Sequence, residues 1–191
     1  MLSAQQSAQV AAAPREVLEL VCDLRAYMVF DAKIVRVYEN PPIDSDGHGF
    51  VVFRGSIRGI PSPKQRQSVK LDRWWSVTFE SAGPWWADRL VWMRGGVTAQ
   101  PFSGGSLVTH SYRFRFKGLI ERYARDWLDR DLHDELQRIK THFDRRDAGL
   151  PPLQPPHRRP ARTEEQRSRA RIKAWRDFRS EPGIGAQGPS E

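Results

Sequence analysis

Apolar and polar residues alternate with a period of two along most of the first 116 positions, and the period then changes to that of a helix. Ser3 to Ala13 places Ala4, Ala8, Val10 and Ala12 on one alternating face, which predicts a first strand closed by Pro14. Pro14 to Leu24 brings Val17, Leu20, Val21 and Leu24 to helical spacing behind a first-turn proline, and a second helical turn is expected around Tyr27 to Phe30. Alternation resumes at Ile34-Val35-Arg36-Val37-Tyr38, breaks at Asn40-Pro41-Pro42 and Asp44-Ser45-Asp46-Gly47, and returns from Val51 to Ile57. Gly59-Ile60-Pro61-Ser62-Pro63 reads as the next turn. Val69 and Leu71 then alternate with Lys70 and Asp72, and the same phase carried onward puts Trp75, Val77 and Phe79 on one face. After Ala82-Gly83-Pro84, the stretches Leu90 to Met93, Val97 to Phe102 and Leu107 to Phe116, with a Ser103-Gly104-Gly105 turn, complete an antiparallel meander.

From Leu119 to Phe143 the apolar positions Ile120, Tyr123, Ala124, Trp127, Leu128, Leu132, Leu136, Ile139 and Phe143 fall at steps of three and four. This long helix carries Arg122/Asp126, Arg125/Asp129, Arg130/Asp134 and Asp134/Arg138 at ion-pair spacing, so its acidic residues read as a solvated face. The prolines at 151, 152, 155, 156 and 160 then predict an extended linker over 148–162. Beyond it, 163–191 reads as a basic, mostly disordered tail with a short helix from Thr163 to Phe178. The expected organisation is one α+β domain over 1–147, linker and tail.

Charge divides in a way that sharpens this. Residues 150–191 hold nine Arg/Lys against five Asp/Glu, leaving 22 against 18 in the rest, so half of the net +8 sits in less than a quarter of the chain. Arg167, Arg169, Arg171, Lys173, Arg176 and Arg179 around Ile172, Trp175 and Phe178 make 163–179 the segment for an anionic surface, nucleic acid or protein partner. Seven Trp and nine Phe supply an aromatic interior, and no run reaches the ~20 apolar residues of a membrane span. The opening Met1 to Gln6 lacks the basic start and apolar run of a secretory peptide, and the single Cys22 cannot form an internal disulfide, so a cytoplasmic protein is expected. Phosphate-cradling loops, nucleophile elbows and His-Glu-x-x-His zinc motifs are missing, and no metal or cofactor is expected.

The order strand, two short helices, long antiparallel meander, long C-terminal helix resembles the START-like, or SRPBCC, helix-grip superfamily, including its polyketide cyclase/dehydrase and lipid-transport branch. The echoes are Ala13-Pro14-Arg15-Glu16-Val17 at the first helix, Asp23-Leu24 at its end, Ile34 to Glu39 opening the sheet, Gly104-Gly105-Ser106-Leu107-Val108-Thr109 before the last strand, and Gly118-Leu119-Ile120 before the helix. The resemblance implies a curved antiparallel sheet wrapped around the long helix, with a cavity that takes a lipid, polyketide or isoprenoid-like molecule. It implies a carrier, or an enzyme of the cyclase/dehydratase kind working without metal or nucleotide.

Alternation decides which side chains enter such a cavity. Val108, His110, Tyr112, Phe114 and Phe116 share a face of the last strand, so His110 and Tyr112 become the candidate polar and proton-transferring groups. Trp75, Val77, Phe79, Trp92, Phe114 and Trp127 are the expected apolar wall. The competing expectation is a cavity packed shut in a protein-interaction or surface-recruitment module acting through the basic tail and exposed tryptophans.

Overall fold

A computed structural model describes residues 1–57, 59–84, 86, 89, 91–116 and 120–154. Its elements, in chain order, are β1 (Leu2–Val10), α1 (Pro14–Cys22), α2 (Leu24–Tyr27), β2 (Ile34–Glu39), β3 (His48–Ile57), β4 (Ile60–Asp72), β5 (Ser76–Ser81), β6 (Val91–Phe102), β7 (Gly105–Phe116) and α3 (Ile120–Asp147). The strands form one antiparallel sheet in the order β1-β7-β6-β5-β4-β3-β2, which leaves β1 and β2 as unpaired edges of an open sheet. This is the helix-grip arrangement expected from the sequence, an α+β fold with two short helices after the first strand and a long helix at the end.

Local chemistry places the short helices. Pro14 sits in the first turn of α1, and the Glu16 carboxylate accepts from the Ala13 N–H at 2.9 Å. The α2 turn opens on Asp23, whose carboxylate accepts from the N–H groups of Arg25 and Ala26 at 3.0 and 3.2 Å. The side chain of Asn40, just after β2, ties the α1–α2 junction to the sheet, accepting from Leu24 N at 2.6 Å and donating to Cys22 O at 3.2 Å.

The sheet departs from the expected turns at the β3–β4 connection. Ile57 pairs directly with Ile60 across Gly59, whose φ of +83° suits the residue without a side chain, so β4 begins where a longer turn was expected. Pro61 and Pro63 fit there because β5 pairs with β4 only from Gln67 onward, leaving the beginning of β4 with no strand on that side.

The core lies between the inner face of the sheet and one stripe of α3. Ala124, Leu128, Leu132, Leu136, Ile139 and Phe143 supply the helix side, while Val77, Phe79, Val97, Ala99 and Val108 supply the sheet side. After α3 the chain turns back along the helix, with Arg145 donating to Pro151 O and Arg138 to Gln154 O at 2.8 and 2.9 Å. The first part of the expected linker is thus held against the helix. The remainder of that linker and the 163–191 tail, with its partner expectation, lie outside the described residues.

Candidate functional site

Strand parity on β7 governs the site. Val108, His110, Tyr112 and Phe114 are all buried on the inner face, as alternation predicted. Opposite Tyr112 in the register stands Gly95, and a Cβ added to Gly95 would lie 2.6 Å from Tyr112 Cδ1. The missing side chain on β6 is the space in which the Tyr112 ring lies.

A cavity opens beside these side chains. Its volume, counted as space open to the centre of a water-sized molecule, is about 70 Å³. Phe53, Phe79, Met93 and Phe114 form apolar walls, with Val21 and Leu24 contributed by the α1–α2 segment. His110, Tyr112, Tyr27, Asp31 and Lys33 gather polar groups along the same lining.

Behind that polar side lies a buried ionic cluster that alternation along the strands did not reveal. The Lys33 backbone is fixed from both directions, its N–H donating to Asp31 Oδ1 at 2.7 Å and its carbonyl accepting from Ser56 N at 2.7 Å. Its ammonium projects inward and meets Asp131 Oδ2 at 2.5 Å, Glu135 Oε2 at 2.6 Å and Asp31 Oδ1 at 3.0 Å. The Tyr27 hydroxyl donates to Glu135 Oε1. The same oxygen lies 3.1 Å from His110 Nδ1, with both side chains 1 % exposed.

The helix face expected to be solvated is therefore split. Asp129, Arg130 and Asp134 are exposed, whereas Asp131 and Glu135 turn inward. Their positions carried a signal: 124, 128, 131, 135 and 139 follow the three-four repeat of a core stripe, so two acids stood on an apolar seam.

Electrostatics follow from burial and neighbours. Burial opposes charge on Lys33, but Asp31, Glu135 and Asp131 outweigh it and hold the ammonium protonated well above the ordinary lysine range. Burial also works against the Glu135 carboxylate, yet Lys33 and then His110 keep it ionised well below the ordinary range. Asp31 is pushed up to about 7 by burial, against the pull of Lys33. Asp131 is raised for the same first reason. Burial and the nearby carboxylates raise Tyr112 as well, so its phenol stays neutral. Asp31, Asp131 and Glu135 place oxygens within 4.8 Å of one another, a donor set suited to a divalent cation. Lys33 stands among them as the counter-cation.

His110 differs from its neighbours. Neither ring nitrogen has a hydrogen-bond partner among the described residues, because the approach to Glu135 is close but not aligned. The Tyr112 ring lies 4.3 Å from that of His110, centroid to centroid, and 5.1 Å from the Lys33 ammonium. Of the two polar side chains singled out in the sequence, His110 is the one whose buried nitrogens have no hydrogen bond among the described residues.

The expected apolar wall is corrected in part. Phe79 and Phe114 line the cavity, and Val77 is fully buried in the core beside it. Trp75 does not face inward: β4 and β5 end at the Asp72–Ser76 pair, so Arg73, Trp74 and Trp75 form the hairpin loop and alternation restarts after it. Trp75 is half-exposed, and so is Trp86. Trp92 has the outward parity of β6, where Met93, Gly95, Val97 and Ala99 face in, and its ring lies against Arg115 on the outer surface. Trp127 is half-buried against the core and is not among the residues lining the cavity. Burial pushes the Cys22 thiol up to about 11, which suits a packing role rather than a nucleophile.

No family model matches the sequence, and no curated protein matches it. Solved structures do. The Zhui aromatase/cyclase from Streptomyces sp. R1128 superposes with a TM-score of 0.58 at 18% identity, over 78% of this chain and 98% of that one. TTHA0849 from Thermus thermophilus gives 0.59 at 12% identity, over 73% and 94%. The di-domain aromatase/cyclase StfQ of the steffimycin biosynthetic pathway gives 0.58 at 13% identity, over 78% of this chain and 52% of its own. Among the described residues no helix is long and apolar enough to cross a membrane. At these identities the likeness is one of architecture, and it agrees with the element order and sheet topology: this chain has the helix-grip fold.

Proposed function

We propose that this protein binds a hydrophobic small molecule of the polyketide, lipid or isoprenoid kind within its sheet–helix cavity, as a carrier or as a cyclase/dehydratase. The observation that carries the reading is an apolar cavity lined by His110, whose buried ring nitrogens have no hydrogen bond among the described residues, with the Tyr112 ring beside it. A buried polar group without a partner costs about 1–3 kcal/mol, and an occupant with a complementary oxygen recovers it. Phe79, Met93 and Phe114 supply the apolar contact that favours a ring or a branched chain over a sugar. The fold is shared with two proteins described as aromatase/cyclases, which supports the same class of ligand here.

For catalysis the cavity offers exclusion of water, a fixed ligand pose and an imidazole able to take and return a proton. Those are the requirements of aldol-type cyclisation and dehydration. A carrier needs only the first two. Native mass spectrometry of the gently purified full chain, with extraction of whatever co-purifies, tests the binding reading. It predicts an apolar compound at one per chain, whereas an empty chain that also ignores polyketide and isoprenoid libraries would overturn it.

A further inference from the structure

The face of the sheet turned away from α3 carries a charge pattern that the cavity does not use. Lys64 and Arg66 of β4, Arg94 of β6, and Arg113 and Arg115 of β7 are exposed there, while the residues alternating with them are mostly buried. The register sets several cations of this face directly against one another. Arg36 on β2 stands opposite Arg54 on β3, Arg54 stands opposite Lys64, and Arg94 stands opposite Arg113. Like charges directly opposite on neighbouring strands weaken a sheet, so folding alone does not favour this arrangement. Acidic neighbours offset little of it, since Glu39 approaches Lys64 and Glu80 approaches Arg94 at 3.9 Å, both in exposed pairs.

The same face has a seat for an anionic group. Thr78, Gly96 and Ser111 form the row beside the Arg94–Arg113 pair, and because Gly96 has no side chain a depression opens there, lined by Arg94, Arg113, Thr78 and Ser111. Two guanidinium groups and two hydroxyls thus surround a bare stretch of backbone. Other cations of the face are held over aromatic rings, Arg66 at 4.3 Å from the Phe50 centroid and Arg115 at 5.5 Å from that of Trp92. A guanidinium anchored in this way loses less freedom when it meets a phosphate.

We infer that this outer face binds single-stranded nucleic acid through its phosphates, with the depression at Gly96 seating one phosphate between Arg94 and Arg113. Charge complementarity requires a polyanion, and two features select this one. Exposed large hydrophobic residues such as Trp75, Trp86 and Phe102 lie in connections or at a strand end, so the face gives a membrane little to take up. A twisted sheet also meets a planar bilayer or a stiff duplex over only part of its width, whereas a flexible strand follows it. From β7 to β2 the cations cross five strand spacings, about 24 Å, which accommodates a few nucleotides. With contacts to phosphate rather than to base edges, binding is tolerant of sequence and steeply dependent on salt. The site is separate from the cavity and stands or falls independently of it.

Fluorescence anisotropy of a labelled oligo-dT strand of about twelve nucleotides, titrated with the full chain over a series of salt concentrations, tests this. The R94Q/R113Q variant is expected to bind roughly tenfold more weakly at low salt, with the slope of log K against log salt reduced by roughly 1.4; R113Q alone gives about half of that change in slope. Residues 157–191 are the same in all three chains, so the difference reports the sheet face. Removing one charge from an opposed pair is expected to hold or raise the urea midpoint, which separates lost binding from lost structure. Unchanged affinity and salt slope in both variants would overturn the assignment. Binding of phosphatidylserine vesicles or of the matching duplex in preference to the single strand would overturn it as well.

Discussion

At Lys33 one ammonium faces three carboxylates at 2.5, 2.6 and 3.0 Å inside the domain. Removing it leaves buried negative charge uncompensated, so Lys33→Met should lose about 3–5 kcal/mol of stability at neutral pH. Part of that loss should return on acidification as the stranded carboxylates take up protons, which denaturant titrations at two pH values will read. Gly95→Ala tests the other half of the site. Its Cβ would meet the Tyr112 ring at 2.6 Å, and the expected cost is about 1–3 kcal/mol together with a displaced Tyr112 resonance. His110 and Tyr112 were legible because strand parity is a local property that a run of alternating residues reveals. Asp131 and Glu135 stood on the apolar seam of the helix, but Lys33 is ordinary in its own segment, and the cluster takes shape only where the α2–β2 loop meets the helix. Trp75 and Trp92 failed for a narrower reason: a hairpin loop resets the phase for the first, and the second sits between inward-facing neighbours of β6.

Among the elements, α3 and the α2–β2 loop are joined by charge as well as by packing, and this makes their contact depend on pH. Asp31, raised from 3.8 to about 7, keeps in the folded state a proton that the unfolded chain has released. Its contribution to stability is complete below its unfolded value and is lost as pH rises through about 7. Asp131 acts in the same direction. Glu135 has the opposite sign, since its lowered value contributes stability above 4.5 that disappears only in strong acid. Between about pH 5 and about pH 8 the aspartates dominate, so the urea midpoint should rise as pH falls across that window. Asp31→Asn, which imitates the protonated carboxyl, should flatten the slope; an unchanged slope in that variant would remove Asp31 from the account. Element types and order were legible from periodicity, while the β3–β4 turn was misplaced because two prolines look like a loop unless the missing neighbour of β4 is known.

For the whole molecule, the sequence echoes placed turns and helix entries, and so reported architecture rather than chemistry. Solved structures at 12 to 18% identity agree with that architecture and carry no residue-level assignment to this chain. What distinguishes this interior is the combination of an apolar wall, an imidazole with no hydrogen bond among the described residues, and a charge cluster behind it. A site for a polar-ended hydrophobic ligand is the physical account that uses all three features. Met93 allows the account to be tested inside the cavity itself, because it lines the wall whereas Met1 is exposed, and the chain has three methionines to assign. Methyl NMR of methionine-labelled full chain, titrated with an aromatic hydroxyl compound such as 1-naphthol, should shift the Met93 signal in step with binding and leave Met1 in place. Binding detected by another method while the Met93 methyl stays fixed would put the ligand outside the cavity and contradict the account.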